Sequence, residues 1–145
     1  MPEDFDSIRA LPPLREGLLQ LDPPRLLGSR CGDCGVRVFP ARSFCPACDS
    51  EAAPAGVALA PEGTVFSFTT VRQAPGNRPV PYTLAYVDLD DGVRVLAQLD
   101  RSPGATGVHI GQRVRLVLRN VVPEPGEPRL GFAFTSLATT QEQAA

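Results

Sequence analysis

Cys31, Cys34, Cys45 and Cys48 are the only cysteines in the chain, arranged as two Cys-x-x-Cys pairs. Each pair sets two sulfurs at the tip of a tight turn, because a two-residue gap lets both thiolates converge without straining the backbone. Two such tips facing each other form a tetrathiolate cage, and Zn²⁺ takes that donor set at about 2.3 Å per bond with no coordination position left open. Such a closed cage clips a fold together and performs no chemistry on a substrate. Few other features of a 145-residue chain limit its folding as tightly.

The N-terminus, Met1-Pro2-Glu3-Asp4-Phe5-Asp6, has no basic region followed by an apolar stretch, so no secretory signal is expected. No apolar run approaches the roughly 20 residues of a membrane helix. Paired cysteines in this setting read as metal ligands in a reducing cytoplasm, with a disulfide framework as the competing reading. Four thiolates and one Zn²⁺ take the formal charge from −2 to −4. An acidic protein is poorly suited to broad adhesion to nucleic acid, where basic faces supply most of the binding.

Along the chain, Pro13 to Leu21 places Leu14, Leu18 and Leu21 on one helical stripe and predicts a short N-terminal helix that must dock on something. Val36 to Phe39 reads as a small strand between the cysteine pairs, and Gly35 as a left-handed turn residue that lets amides point back at sulfur. Arg30, Arg37 and Arg42 flank the cage, either offsetting its charge or simply solvated. From Glu62 the pattern changes to period two. Strands are expected over Thr64–Arg72, Tyr82–Leu89, Val93–Leu99, Arg113–Val121 and Arg129–Phe134, with a tight hairpin at Asp90-Asp91-Gly92. Five strands in so short a stretch predict a closed antiparallel OB-fold barrel; a small sandwich would need more strands. The expected fold class is thus mainly β: a short N-terminal helix, a zinc ribbon and a five-stranded barrel. The expected division is 1–24 helical segment, 25–60 ribbon, 61–138 barrel and 139–145 disordered tail.

Catalytic constellations are scarce. His109 is the only histidine and sits in a loop, all four cysteines are committed to metal, and no Gly-x-Ser-x-Gly elbow occurs. Asp88, Asp90 and Asp91 sit at a hairpin turn, where aspartate is ordinary. Gly104-Ala105-Thr106-Gly107 matches a phosphate-clamping loop only trivially. Arg72 and Arg78 flank the loop between the first two barrel strands, which OB folds use to grip ligands, and could meet an anionic ligand there.

The series Arg30-Cys31-Gly32-Asp33-Cys34-Gly35, Phe39-Pro40-Ala41-Arg42, Cys45-Pro46-Ala47-Cys48, Gly63-Thr64-Val65-Phe66-Ser67-Phe68-Thr69, Pro81-Tyr82, Asp91-Gly92-Val93 and Ile110-Gly111-Gln112-Arg113-Val114 resembles the zinc-ribbon plus OB-fold proteins of domain-of-unknown-function family thirty-five. The resemblance covers about Arg25 to Phe134. It implies one structural zinc on the four cysteines and a non-catalytic, cytoplasmic accessory subunit. The implied partner is a thiolase-like or hot-dog-fold acyl-CoA enzyme serving thiolase, steroid side-chain aldolase or acyltransferase chemistry. Leu14, Leu18 and Leu21 occupy the place of the family's partner-contacting helix. The competing readings are a single-stranded nucleic-acid module, which would need a basic groove with stacking aromatics, and a rubredoxin-type electron carrier holding iron.

Overall fold

The computed structural model describes residues 5–51, 55–76, 78–100, 108–122 and 126–137. The tail from Thr139 and the Gly104–Gly107 motif lie outside them. One five-residue helix, α1 (Phe5–Arg9), precedes nine strands: β1 (Leu19–Leu21), β2 (Pro24–Arg30), β3 (Arg37–Val38), β4 (Ala55–Ala58), β5 (Glu62–Val71), β6 (Tyr82–Leu89), β7 (Arg94–Leu99), β8 (Arg113–Val121) and β9 (Arg129–Ser136). Strand β2 is the spine of the first sheet, pairing antiparallel with β1, β3 and β4. The other five strands close a barrel in the order β5-β6-β7-β9-β8.

The expected strands form, and the Asp90-Asp91-Gly92 turn closes as a hairpin through Gly92 N–H to Leu89 O at 2.9 Å. The all-antiparallel expectation needs correction, because β7 and β9 pair in parallel at Leu99 and Phe134. A ring with an odd number of strands cannot alternate direction at every step. One parallel seam is a geometric necessity, and here it falls where the fifth barrel strand lies beside the third.

The N-terminal helix also needs correction. It forms at Phe5–Arg9, in a stretch without a clear pattern, and not over Pro13–Leu21. Pro12 and Pro13 bring no N–H to a helix. Instead the arm lies beside β9, where Leu130 N–H donates to Pro12 O at 2.7 Å and Leu14 N–H donates to Leu130 O at 2.8 Å. Gly17, at φ 76°, then reverses the chain, and Leu19–Leu21 enters the sheet against Pro24–Leu26. A nine-residue helix is marginal in water, whereas pairing satisfies the same backbone groups and buries Leu18.

Ribbon and barrel share one core. Leu26 and Leu59 from the first sheet pack with Val65, Val87, Val95, Val114 and Phe134 of the barrel. Phe39 meets Phe132 edge-to-face with ring centroids 5.9 Å apart. Gly28 permits the close approach inside the first sheet, since a Cβ there would lie 2.2 Å from the carbonyl oxygen of Val38. The knuckles are therefore held against the barrel through β2. No helix among the described residues is long and apolar enough to cross a membrane.

Candidate metal centre

The two cysteine pairs are built by the same turn used twice, fourteen residues apart. Cys31 N–H donates to Val36 O at 2.9 Å, and Cys45 N–H donates to Ser50 O at 2.8 Å. Gly35 N–H returns to Cys31 O, and Asp49 N–H returns to Cys45 O. The residue closing each turn is left-handed: Gly35 at φ 80° and Asp49 at φ 63°. Aspartate is among the few side chains that tolerate this conformation, so the second knuckle dispenses with the glycine of the first. Amides then aim at sulfur in both copies. Asp33 and Cys34 N–H lie 3.3 and 3.4 Å from Cys31 Sγ, and Ala47 N–H lies 3.4 Å from Cys45 Sγ.

The four sulfurs all lie within 4.8 Å of one another, with Cys31–Cys48 and Cys34–Cys45 each at 3.6 Å. A tetrahedral ion with bonds of about 2.3 Å would set its sulfurs roughly 3.8 Å apart. The observed separations match that edge and far exceed a disulfide bond of about 2.05 Å. The cysteines are free thiols in a metal-shaped cage, and the donor set fits one structural Zn²⁺. Cys31 and Cys45 are buried, while Cys34 and Cys48 line the open side.

The thiols differ in acidity. Amide hydrogen bonds from Cys34 and Asp33 pull Cys31 down to about 6. The Ser50 amide favours the Cys48 thiolate, yet the neighbouring sulfurs, led by Cys31, and desolvation outweigh it and push Cys48 up to about 12. Cys34 is also raised: the Val36 amide lowers it, but Cys45 and desolvation prevail. One thiolate forms readily and the later ones are opposed by those already present. A divalent cation removes that opposition.

Sequence reasoning missed three supports of the cage: Asp49 in its left-handed turn, Asp33, and Ser50, whose hydroxyl donates to the Asp33 carboxylate and so ties one knuckle to the other. The signal was the repetition itself, Cys-x-x-Cys-Gly against Cys-x-x-Cys-Asp. Of the flanking arginines, Arg30 lies over the first knuckle, its Nη2 3.7 Å from where a Gly35 Cβ would stand. Arg37 and Arg42 are exposed.

The remaining candidates do not converge. Asp88 accepts a two-pronged ion pair from Arg94 at 2.6 and 3.0 Å, and Asp90 one from Arg113 at 2.8 and 2.9 Å. Both carboxyls are held below their ordinary value by those guanidinium hydrogen bonds. Asp91 accepts the Ala60 N–H at 2.9 Å. The three aspartates thus serve three different structural contacts. His109 is exposed. Arg72 and Arg78 are exposed at either side of the β5–β6 connection, beside a shallow concavity lined by Gln73, Ala74, Pro75 and Val80. Leu14 is 45% exposed, Leu18 is buried in the chain's own fold, and Leu21 lies between these limits. The three do not share a helical face.

Family models for two domains of ChsH2 match this chain: the rubredoxin-like zinc ribbon domain over residues 20–53 and the C-terminal OB-fold domain over residues 56–119. A DUF35 domain-containing scaffold protein of Methanocaldococcus jannaschii is 33% identical over 112 residues, covering 75% of this chain and 78% of that protein. The benzoylsuccinyl-CoA thiolase subunit BbsA of Thauera aromatica is 37% identical over 82 residues, and the match spans 57% of this chain and 56% of that subunit. Among solved structures, the Ltp2-ChsH2(DUF35) aldolase superposes with a TM-score of 0.62 at 28% identity, covering 77% of this chain and 84% of that one.

Proposed function

The chain belongs to the DUF35 family of zinc-ribbon and OB-fold proteins, and from that membership we propose that it is a non-catalytic subunit of a thiolase-like, acyl-CoA-processing enzyme. One observation carries the reading. Its metal cage is closed by four sulfurs, so the metal has no open position for a substrate, while relatives of this chain are named as a scaffold protein and as a thiolase subunit. A rigid knuckle held against a barrel suits a part that presents surface to another protein.

The test is co-expression of the tagged chain with a thiolase-fold enzyme of the same organism. The two are expected to elute as one stoichiometric complex, with the enzyme poorly active or poorly soluble by itself. An enzyme fully active and stable alone overturns the accessory role.

The same reading assigns Arg72 and Arg78 to the phosphates of the CoA thioester, as charge-assisted bonds of about 1.5–3 kcal/mol each. Replacing both by alanine is expected to weaken CoA-thioester binding by the assembled complex at least tenfold. Unchanged affinity in a titration of that complex rejects the assignment and leaves the subunit role standing.

A further inference from the structure

The outer wall of the barrel breaks the rule that a water-facing antiparallel strand alternates apolar and polar residues. On β6 the inward residues are Thr83, Ala85, Val87 and Leu89, all buried. The outward ones, Tyr82, Leu84 and Tyr86, are apolar or aromatic too, until Asp88. A nearly continuous apolar run of this kind is the signature of a strand covered on both faces. Its neighbours agree. Leu96 on β7 stands directly opposite Tyr86, and Phe66 occupies the irregularity on β5 beside Ser67, which also pairs with Tyr86. Phe66, Tyr86 and Leu96 are 48%, 45% and 53% exposed. Val71 opposite Tyr82 extends the stripe toward Val80.

Oligonucleotides reach OB folds at this face, and the chemistry here excludes them. The ring of Phe66 is capped by Arg94, whose guanidinium carbon lies 3.5 Å from the ring centre, so that face is closed to a stacking base. Arg94 is itself forked onto Asp88 and gives its charge to no phosphate. At the β7 side, Arg119 is paired with Asp100 at 3.2 Å. The face is electrically quiet, and its complement is an uncharged apolar surface of another protein.

Resting on the reading above, we propose that the Phe66–Tyr86–Leu96 stripe is where the thiolase-like enzyme docks. Three half-exposed side chains offer about 300 Å², against roughly 800 Å² per partner in a standard interface and more in obligate homodimers. The trio is the anchor of a larger contact with a different protein, and Leu84, Tyr82 and Val71 continue it to the loop carrying Arg72 and Arg78. An enzyme seated on the stripe therefore has those arginines at its margin, in reach of a thioester it holds.

The experiment measures binding of the purified thiolase-fold enzyme that co-elutes with this chain to the zinc-loaded chain by interferometry. The wild type is compared with Leu96→Gln, with the pair Tyr86→Thr and Leu96→Gln, and with Val122→Gln, which removes an exposed apolar side chain just past the end of β8 that pairs with β9. Zinc content and a Tm within about 3 °C of the wild type establish folding, as expected for exposed substitutions. The double variant is expected to bind at least about 30-fold more weakly, the loss of an interface hot spot, and Leu96→Gln several-fold more weakly, with Val122→Gln unchanged. Stripe variants that bind like the wild type overturn the docking face alone. A wild type that ignores the enzyme overturns the subunit reading and the assigned occupant together. Self-association that only the stripe variants lose gives the face to a second copy and overturns the proposal.

Discussion

Cys45→Ser is expected to reduce zinc from one equivalent to none and to unfold the ribbon tip while the barrel keeps its β-sheet signal. Between Cys31 and Ser50 the only buried side chains are Cys31 and Cys45. The knuckles have no apolar core of their own, and β3 is two residues long. What orders them is the metal, and structural zinc binds such sites with about 10–16 kcal/mol of apparent free energy at neutral pH. Most of the shared core comes from barrel strands, so the barrel outlasts the tip with a lower Tm, because Leu26 and Leu59 loosen beneath it. Elemental analysis reads the first half of this prediction and trypsin reads the second. Arg37 and Arg42 lie inside the segment, so cleavage there should accelerate by orders of magnitude. A variant retaining one zinc, or cutting at the wild-type rate, refutes the account of the ribbon.

Phe134→Ala should be the most damaging single change in the barrel. The ring is fully buried at the parallel seam, opposite Leu99 and edge-on to Phe132 at 6.3 Å. Truncating a buried phenylalanine removes about 3–5 kcal/mol, including the cavity left behind. Domains of this size hold roughly 5–15 kcal/mol in all. A fall in Tm of about 10–15 °C is expected at roughly 3 °C per kcal/mol, or no stable fold if the margin is small. The parallel seam rests on one register pair, Leu99 with Phe134, so the truncation falls where the ring closes. Calorimetry decides it. A shift below about 3 °C would mean that the barrel is not closed through this residue.

Much of the architecture was legible because it is local. Val114, Leu116 and Leu118 alternating with Arg113, Arg115 and Arg119 mark a strand wherever they occur. Asp90-Asp91-Gly92 makes a hairpin because Gly92 adopts φ 94° without strain. The N-terminal segment was not legible for the opposite reason. Leu14, Leu18 and Leu21 have helical spacing, but the hydrogen bonds that place Leu14 come from Leu130, more than a hundred residues away. Asp49 was hidden because its role is a backbone angle, and Asp88 and Asp90 because their guanidinium partners lie on β7 and β8.

The cysteine spacing by itself determined that a metal cage would form, since a Cys-x-x-Cys turn is closed by contacts within six residues. Period-two alternation likewise determined that strands would follow. Tertiary structure alone decided that the ring would close on a parallel seam, that the N-terminal arm would lie along β9, and that Tyr86 and Leu96 would meet on the outside of the wall. Those outcomes depend on which distant strands pair. Pairing is settled by the closure of the whole barrel and its shared core, which no short window of sequence contains.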